Sequence, residues 1–281
     1  MWKGVIVRRR KLGRSSAKGI TSFSQTGMDW YRSDKKAKEG DVYIRWGCTA
    51  PVAGNKVLNT AEAIHEVADK KAFRLKLSEA GLSPLTFDDY NDLPGNIRFP
   101  LVVRRGNHAQ GRNLHVVSSF EELKTTCDQY GHNYYISPLV NKVAEYRVTF
   151  VQGRVVWVAE KTPADRNVVA WNVAQGGRFD NVSWGQWPLR AVRKSLEAFM
   201  LSSLDFGAVD VMVDENGDCF VLEINSAPSQ TSPYRQECMA KAFDYIMQNE
   251  SKERIPVVQQ RGDWKKFIHP ALSPMAIMEE E

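Results

Sequence analysis

One stretch near the end of the chain, residues 205–229, predicts a β-hairpin. From 209 to 214 valine alternates with aspartate or methionine, which is typical of a strand with one packed face. Asn216 and Gly217 then supply a dipeptide that readily adopts the positive φ angles of a tight turn. The chain returns as a second strand over 219–225. We therefore expect an antiparallel pair of strands around which the rest of the fold is arranged.

Oxygen ligands come together at one end of this hairpin. A tight turn brings Asp210 opposite the strand end that contains Glu223 and Asn225. Strand alternation places Val221 on the same face as Glu223 and Asn225. Two carboxylates and an amide oxygen are hard ligands that suit Mg²⁺, with Mn²⁺ as the alternative. Asp210, Glu223 and Asn225 are therefore candidate metal ligands, although a glutamate pointing to solvent from a half-exposed strand is the competing interpretation.

The composition is that of an ordinary globular chain. Its 281 residues are 43% hydrophobic and 25% charged, a length that suits two or three compact lobes. No apolar run approaches the roughly 18 residues of a membrane span, and the first residues lack a signal-peptide core. We therefore expect a cytoplasmic protein with no membrane partner. The four cysteines are scattered without C-x-x-C pairs, which favours reduced thiols over disulfides or zinc.

The start of the chain is strongly basic. The first eighteen residues contain seven Lys or Arg and no acid, and the whole chain has a net charge of +5. Such a segment can bind nucleic acid or another polyanion. A solvated basic edge is the alternative interpretation.

The hairpin also resembles part of a known superfamily. Asp210, Glu223, Asn225 and Pro228 are similar to the metal-binding end of ATP-grasp proteins, in which an aspartate is followed by E-x-N-x-x-P. The most similar branches are the ribosomal-protein glutamate ligases and the D-alanine:D-alanine ligases. The resemblance implies an α/β (α+β) fold with two α+β lobes clasping a nucleotide, and ATP and Mg²⁺ as cofactors.

Segments upstream follow the order found in this superfamily. Lys70 matches a lysine that reaches toward phosphate. A strand ending at Arg104, a loop from Gly106 to Gly111 and a second strand are similar to the lid, with arginine where the family normally has lysine. Small loop residues let backbone N–H groups approach phosphate oxygens. The alternatives are a solvated helix charge for Lys70 and a plain hairpin connection for the loop.

The next segment, 134–140, is similar to the family's hinge, where backbone groups recognise adenine. Pro138 lacks an N–H, which leaves Ile136 or Leu139 as the expected donor. Glu145, on the strand after the hinge, matches the family acid that binds the ribose hydroxyls.

Three basic residues are candidates for the catalytic step. Arg147 and Lys161 lie on the two strands that follow the hinge, where they either face the phosphates or are ordinary strand charges. Arg178 follows a Gly-Gly pair similar to a family motif. It is a candidate for holding the transferred phosphoryl group, with a surface role as the alternative.

The predicted organisation has four parts. A small N-terminal domain, 1–58, precedes linker helices and the lid subdomain, 59–140. The C-terminal subdomain with the metal site covers 141–250. The last segment, 251–281, is polar and rich in proline, and we expect a tail with limited structure, part of which packs on the body or a partner through Trp264 and Phe267.

The order of these motifs predicts an ATP-dependent carboxylate–amine ligase. In the family's chemistry, ATP phosphorylates a carboxylate, an amine attacks the acylphosphate, and an amide forms with release of ADP and phosphate. The expected partners are ATP, a carboxylate substrate, and an amine from an amino acid, peptide or macromolecule. Two alternatives are ATP-dependent aminoacylation of a nucleic acid or other macromolecule, and a nucleotide-binding module without catalysis.

Overall fold

The structure is a computed structural model that describes residues 1–11, 13–106, 113–165, 168–171, 176–256 and 264–278. Within these ranges the chain forms twelve strands and seven α-helices, and the strands make three sheets. None of the helices in these ranges has the length and apolar content needed to span a membrane.

The N-terminal residues form a four-stranded parallel sheet, here the N-terminal sheet. Its elements are β1 (Gly4–Arg8), α1 (Arg14–Phe23), β2 (Asp29–Arg32), β3 (Val42–Trp46) and β4 (Val57–Leu58). The strand order is β2-β1-β3-β4. Every residue of β1 and β3 is buried, as expected for central strands of a parallel sheet that is covered on both faces.

Two capped helices lead to the second sheet. They are α2 (Ala61–Ala68) and α3 (Lys70–Glu79). The Thr60 hydroxyl accepts the N–H of Ala63 at 3.1 Å, and the Asp69 carboxylate accepts the N–H of Ala72 at 3.1 Å. These side chains satisfy N–H groups that a helix start leaves without partners. Lys70 is therefore the first residue of a helix.

The second sheet, here the lid sheet, is antiparallel and has a core of its own. Its elements are β5 (Leu101–Arg105), β6 (Leu114–Val117), α4 (Phe120–Asp128) and β7 (Tyr134–Pro138). The strand order is β6-β5-β7, and α4 packs Leu123 and Cys127 into the core. The predicted order of strand, loop and strand is confirmed for β5 and β6. Most of the loop between them, including Gly111, lies outside the described residues.

The third sheet, here the C-terminal sheet, has five antiparallel strands in the order β10-β9-β8-β11-β12. Its elements are β8 (Lys142–Val151), β9 (Arg154–Thr162), β10 (Arg178–Asn181), α5 (Leu189–Leu201), β11 (Phe206–Asp214), β12 (Cys219–Asn225) and α6 (Pro233–Asn249). On one face, Phe150 of β8 stacks on Phe199 of α5, with ring centroids 4.9 Å apart. This packing leaves the opposite face of the sheet for α6 and for the candidate site.

The N-terminal and C-terminal sheets share one hydrophobic core. Trp46 of β3 stacks on Phe206 of β11 with ring centroids 5.4 Å apart, and Phe206 meets Phe243 of α6 edge-on at 5.2 Å. Helix α6 also packs on α1. The lid sheet is built around a core of its own, and a small separate cluster that includes Val5, Val7 and Tyr43 lies on the N-terminal sheet.

The hairpin of β11 and β12 has the predicted pairing with one difference. Asp210 pairs with Glu223, but Val211 pairs with Val221, so that Leu222 is an extra residue in a β-bulge. The Val221 side chain is therefore buried in the core while Glu223 lines a cavity. The prediction that Val221 and Glu223 share one face is wrong, because a bulge interrupts the alternation of a strand.

The C-terminal segment is packed against the core. Over 264–278 the chain makes a turn and a short helix, α7 (Ser273–Met278). Trp264, Phe267 and Leu272 are buried in the shared core. The prediction that Trp264 and Phe267 pack on the body is confirmed, whereas the prediction of limited structure is wrong for this range.

Backbone hydrogen bonds attach this segment to the edge of β9. The Val155 N–H donates to the Phe267 carbonyl oxygen at 2.7 Å, and the His269 N–H donates to the Val155 carbonyl oxygen at 2.8 Å. Ile268 of the segment thus forms an isolated parallel β-bridge with Val155, at the start of β9.

Leu272→Ala tests whether the C-terminal segment contributes to stability. Leu272 is fully buried, so we expect the free energy of unfolding to fall by about 2–5 kcal/mol. The matched control is Leu85→Ala, because Leu85 is 58% exposed and its loss should change the free energy by no more than about 0.5 kcal/mol. Denaturant unfolding measures both, and equal losses would contradict the packing described.

Candidate functional site

A cavity of about 550 Å³ lies between the lid sheet and the C-terminal sheet. Part of its lining is apolar and includes Val102, Leu114, Leu139, Val140, Met212 and Leu222. The charged part is formed by Lys70, Arg74, Arg104, Lys142, Glu145, Arg147, Lys161, Asp210, Glu223 and Arg235. An apolar slot beside a few converging polar groups is the common form of a small-molecule site.

A cluster of buried ion pairs forms the floor of the cavity. The guanidinium of Arg147 donates two hydrogen bonds to the carboxylate of Asp210, from Nε to Oδ1 at 2.6 Å and from Nη2 to Oδ2 at 2.8 Å. Lys161 donates to Asp210 Oδ2 at 3.4 Å and also to Glu145. Lys142 donates to the other oxygen of Glu145. The register explains the cluster, since Asp210 of β11 pairs directly with Arg147 of β8.

These ion pairs are nearly removed from water. The side chains of Asp210 and Glu145 are 4% and 3% exposed. Although burial favours the protonated acid, Arg147 and Lys161 hold the pKa of Asp210 far below its ordinary value. Burial would also lower the pKa of Lys161, but Asp210 and Glu145 outweigh it and raise that pKa. Asp210 and its two cations therefore stay charged at neutral pH.

The remaining predicted metal ligands lie beside this cluster. Glu223 accepts the Lys70 ammonium at 2.5 Å and the Asn225 side-chain amide at 3.1 Å. Burial works to raise the pKa of Glu223, but Lys70 outweighs it and the pKa is lowered. Since Asp210 pairs with Glu223 across the ladder, the structure brings all three predicted ligands together.

The oxygen donors fit a magnesium ion. Mg²⁺ takes one or two carboxylates and completes its shell with water and phosphate. No group of three or more His, Cys, Asp or Glu side chains with metal-binding geometry occurs in the described part of the chain, and the third candidate here, Asn225, is an amide. In the described part of the chain, Asp210 is held by Arg147 and Lys161, whereas Glu223 is held by Lys70 and Asn225. Glu223 and Asn225 are therefore the donors best placed for such an ion.

Arg235 of α6 is a site residue that the sequence motifs did not reveal. It is 6% exposed and lines the cavity, with Nε donating to Asn181 Oδ1 at 2.8 Å and Nη2 to the Phe179 carbonyl oxygen at 3.0 Å. Burial and the charge of Arg147 lower the pKa of Arg235. Its one sequence signal is a cation in the first turn of a helix, where the helix dipole disfavours positive charge.

Arg178, in contrast, does not join the cluster. It is 73% exposed, and its Nε donates to the carboxylate of Asp180 at 2.9 Å. Phe179 pairs with Lys161 across the ladder, so alternation turns Phe179 toward the cavity and Arg178 to the other face. The guanidiniums of Arg147 and Arg235 lie 4.5 and 5.7 Å from the Phe179 ring centroid. The surface alternative is the one that the structure supports for Arg178.

Most predicted nucleotide contacts do line the cavity. They are Lys70, Arg104, Leu139 and Glu145. Gly106 lies just beyond β5, where its N–H donates to the Asn133 carbonyl oxygen at 2.9 Å. A Cβ atom at Gly106 would lie 2.1 Å from Asn133 Oδ1, so a larger residue there would require the Asn133 side chain to move.

The two predicted adenine donors are engaged elsewhere. The Ile136 N–H donates to the Phe87 carbonyl oxygen at 3.0 Å, and the Leu139 N–H donates to the Pro100 carbonyl oxygen at 3.2 Å. The prediction that either N–H is available to a base is therefore wrong in this structure. Val140 lines the cavity, and within the described ranges its N–H has no backbone acceptor.

Comparison with known proteins identifies the fold. No family model and no curated protein matches the sequence. A D-alanine–D-alanine ligase from Bacillus anthracis complexed with ATP is 14% identical, with a TM-score of 0.60 over 89% of this chain and 99% of that chain. A RiPP-associated ATP-grasp ligase from Chryseobacterium gregarium, in complex with ADP and a leader and core peptide, is 12% identical, with a TM-score of 0.63 over 92% and 100%.

A more distant match has the same architecture. The N5-carboxyaminoimidazole synthetase from Staphylococcus aureus complexed with ADP is 11% identical, with a TM-score of 0.58 over 85% of this chain and 76% of that chain. These similarities extend over most of the chain and confirm the predicted fold class. The chain has the ATP-grasp fold.

Proposed function

We propose that this protein is an ATP-dependent carboxylate–amine ligase that forms an amide through an acylphosphate and releases ADP and phosphate. The observation that carries the proposal is the cavity, which has seven cationic side chains and three carboxylates beside an apolar slot. The D-alanine–D-alanine ligase of similar fold was solved with ATP, and the RiPP-associated ligase with ADP. A nucleotide therefore suits the cavity of this chain.

We assign the apolar slot to adenine and the charged part to the phosphates. Leu139, Met212 and Leu222 provide apolar contacts, and the N–H of Val140 is the donor to the base. Lys70 and Arg104 serve the phosphates, together with the lid loop that begins at Gly106 and includes Gly111. This assignment moves the predicted backbone donor from Ile136 or Leu139 to Val140.

Glu145 receives a different role from the predicted contact with ribose. Its two carboxylate oxygens already accept Lys142 and Lys161. Glu145 therefore fixes two ammonium groups at the floor of the cavity. Fixed charges stabilise a developing charge without reorganising during the reaction.

The phosphoryl-transfer step depends on positioning and charge. Arg147, Lys161 and Arg235 form a cationic wall around Phe179, and such a wall stabilises the charge that spreads over the transferred group. Glu223 and Asn225, with Asp210 beside them, would hold Mg²⁺. The bound ion would supply positive charge that offsets the charge of the phosphates.

The reaction has two bond exchanges. A carboxylate oxygen of the substrate attacks the γ-phosphorus, and the bond from phosphorus to the β–γ bridging oxygen breaks, so that ADP leaves. An amine then attacks the acyl carbon, phosphate leaves, and the amine releases a proton. A closed lid protects the acylphosphate from water.

A nucleotide-binding module without catalysis is the competing function. Asp210 pairs with Glu223 across the ladder, and Asn225 donates to Glu223; binding a nucleotide without catalysis does not require this set of oxygen donors. ATP binding without ADP release under any acid would favour that alternative.

Glu223→Gln tests the metal assignment. The change keeps the shape of the side chain and removes its charge, so ATP turnover should fall by roughly 100-fold or more. The melting temperature should change by only a few degrees, because the Glu223 side chain is 31% exposed and such an ion pair contributes about 1 kcal/mol or less. Substantial ADP formation by this variant would contradict the metal assignment.

Asp210→Asn is the matched change within the buried cluster. It leaves Arg147 without its compensating charge and Lys161 with Glu145 as its remaining acidic partner, which costs about 3–5 kcal/mol of folding free energy. The melting temperature should therefore fall well below that of Glu223→Gln. Thermal unfolding of the two variants makes the comparison, and equal melting temperatures would mean that the buried cluster is not a structural element.

Arg235→Met tests the assignment of the phosphoryl-binding wall, with Arg178→Met as the control. Removing the buried cation should lower kcat by roughly 100-fold, the usual effect of losing one electrostatic stabiliser. Removing the exposed Arg178 should leave kcat near the wild-type value. Steady-state ADP release measures both. A larger loss in Arg178→Met would restore the assignment made from the sequence.

The ligase reaction itself is tested by ADP release and trapping. ATP, Mg²⁺ and a panel of acids and amines are supplied, with product masses recorded. With the correct acid and no amine, hydroxylamine should trap a hydroxamate, and Glu223→Gln should give none. ADP release that is independent of every acid would indicate a plain ATPase and contradict the ligase proposal.

A further inference from the structure

Arg74 of α3 is a buried cation that binds the backbone of β12. It is 6% exposed. Its Nη1 donates to the carbonyl oxygens of Val221 at 2.9 Å and of Leu222 at 3.0 Å, and its Nε donates to Thr86 Oγ1 at 3.4 Å. Within the described ranges, the hydrogen bonds of Arg74 go to these uncharged oxygens. Arg74 thus holds the two residues that directly precede Glu223.

One nitrogen can bind both carbonyls because of the β-bulge in β12. In a regular antiparallel strand, successive carbonyl groups point to opposite edges of the strand, so a donor on one side would reach only one of the two. Leu222 is the extra residue of the bulge, and the carbonyl groups of Val221 and Leu222 both face Arg74. The two bonds from Arg74 are therefore specific to the bulged form of the strand.

The bulge lies on an edge strand, since β12 is the last strand in the order of the C-terminal sheet. The outer backbone groups of an edge strand are not paired by a further strand. Here the carbonyl of Val221 accepts from Arg74, and the N–H of Val221 donates to the Leu82 carbonyl oxygen at 2.8 Å. Arg74 and Leu82 thus take the place of a neighbouring strand and support the bulge from outside.

The same helix also holds the side chain that follows the bulge. Lys70, one turn before Arg74 on α3, donates to the Glu223 carboxylate at 2.5 Å. Burial lowers the pKa of Arg74 to about 10, against the charge of Glu223, which acts to raise it. The guanidinium therefore stays charged at neutral pH, and α3 fixes both the carboxylate of Glu223 and the backbone in front of it.

We propose that Arg74 is a positioning residue for metal binding, whose bonds to the bulge turn the carboxylate of Glu223 into the cavity as a magnesium ligand. This inference rests on the proposed function. Without the bulge, strand alternation would place Glu223 on the face of Val221, which is buried in the core. The backbone bonds of Arg74 therefore determine whether the carboxylate is available to an ion.

The test measures what Mg²⁺ adds to the binding of ADP. The melting temperature is recorded for the protein alone, with ADP in EDTA, and with ADP and Mg²⁺. We call the further rise on adding Mg²⁺ the magnesium increment. Arg74→Met removes the donors, so it should keep the rise with ADP in EDTA and lose roughly half or more of the magnesium increment. Losing such a support usually weakens metal binding about tenfold or more, and a tenfold loss removes about half of the stabilisation by a ligand that is about a hundredfold above its dissociation constant.

Two further variants separate positioning from a general loss of stability. The matched control is Lys76→Met, which removes another cation of α3 that donates to a carbonyl oxygen, that of Leu201 at 3.2 Å. It should keep the full magnesium increment. Arg74→Lys keeps a charged donor in a shorter side chain without the planar guanidinium, so its increment should be smaller than that of the wild type. If Arg74→Met does not fold, the increment of Arg74→Lys decides in the same way.

A full magnesium increment in the Arg74 variants would overturn the proposal and leave the ligase assignment intact. A loss of the rise with ADP in EDTA would also overturn it, because Arg74 would then bind the nucleotide directly. An equal loss of the increment in Lys76→Met would show that the effect is not specific to the bulge. If the wild type itself has no magnesium increment, the metal site of the proposed function is refuted, and the role of Arg74 with it.

Discussion

The bidentate ion pair between Arg147 and Asp210 is the interaction on which the rest of the site depends. Three neighbouring strands bring it together with Lys161 and Glu145, and the side chains are almost fully removed from water. Charges buried in this way are tolerated only when each has a partner, and removing one partner is far more costly than the pair is stabilising. The cluster thus fixes the register of β8 and β11 and holds a preorganised set of charges at the floor of the cavity.

Several elements were predictable because their causes are local. The alternation around Val209 and the Asn-Gly turn predict the hairpin, and with it the pairing of Asp210 with Glu223. The sequence around Leu222 does not predict the β-bulge, since no glycine accompanies it. The packing of the C-terminal segment is not visible in the sequence because its few apolar residues, among them Leu272, lie in a polar and proline-rich stretch. Their packing depends on a strand more than a hundred positions earlier in the chain.

Some residues of the site could not be placed from the sequence for the same reason, because their positions depend on distant parts of the chain. The motif gives the position of Arg178 in the chain, but it does not indicate which face of the strand the side chain lies on. The pairing of Phe179 with Lys161 places Phe179 on the cavity face and Arg178 on the opposite face. Arg235 reaches the cavity only because α6 crosses the sheet above Trp157, which no spacing in the sequence encodes. The engaged N–H of Ile136 likewise depends on a partner from a distant segment, Phe87.

The most direct test of the account follows one oxygen atom. A substrate acid labelled with ¹⁸O in both carboxylate oxygens is converted to the amide with ATP and Mg²⁺, and the released phosphate is analysed by mass spectrometry. Attack of the carboxylate on the γ-phosphorus predicts one ¹⁸O atom in the phosphate for every amide formed. Amide formation with unlabelled phosphate would show that the carboxylate is never phosphorylated, and it would contradict the function assigned to this cavity.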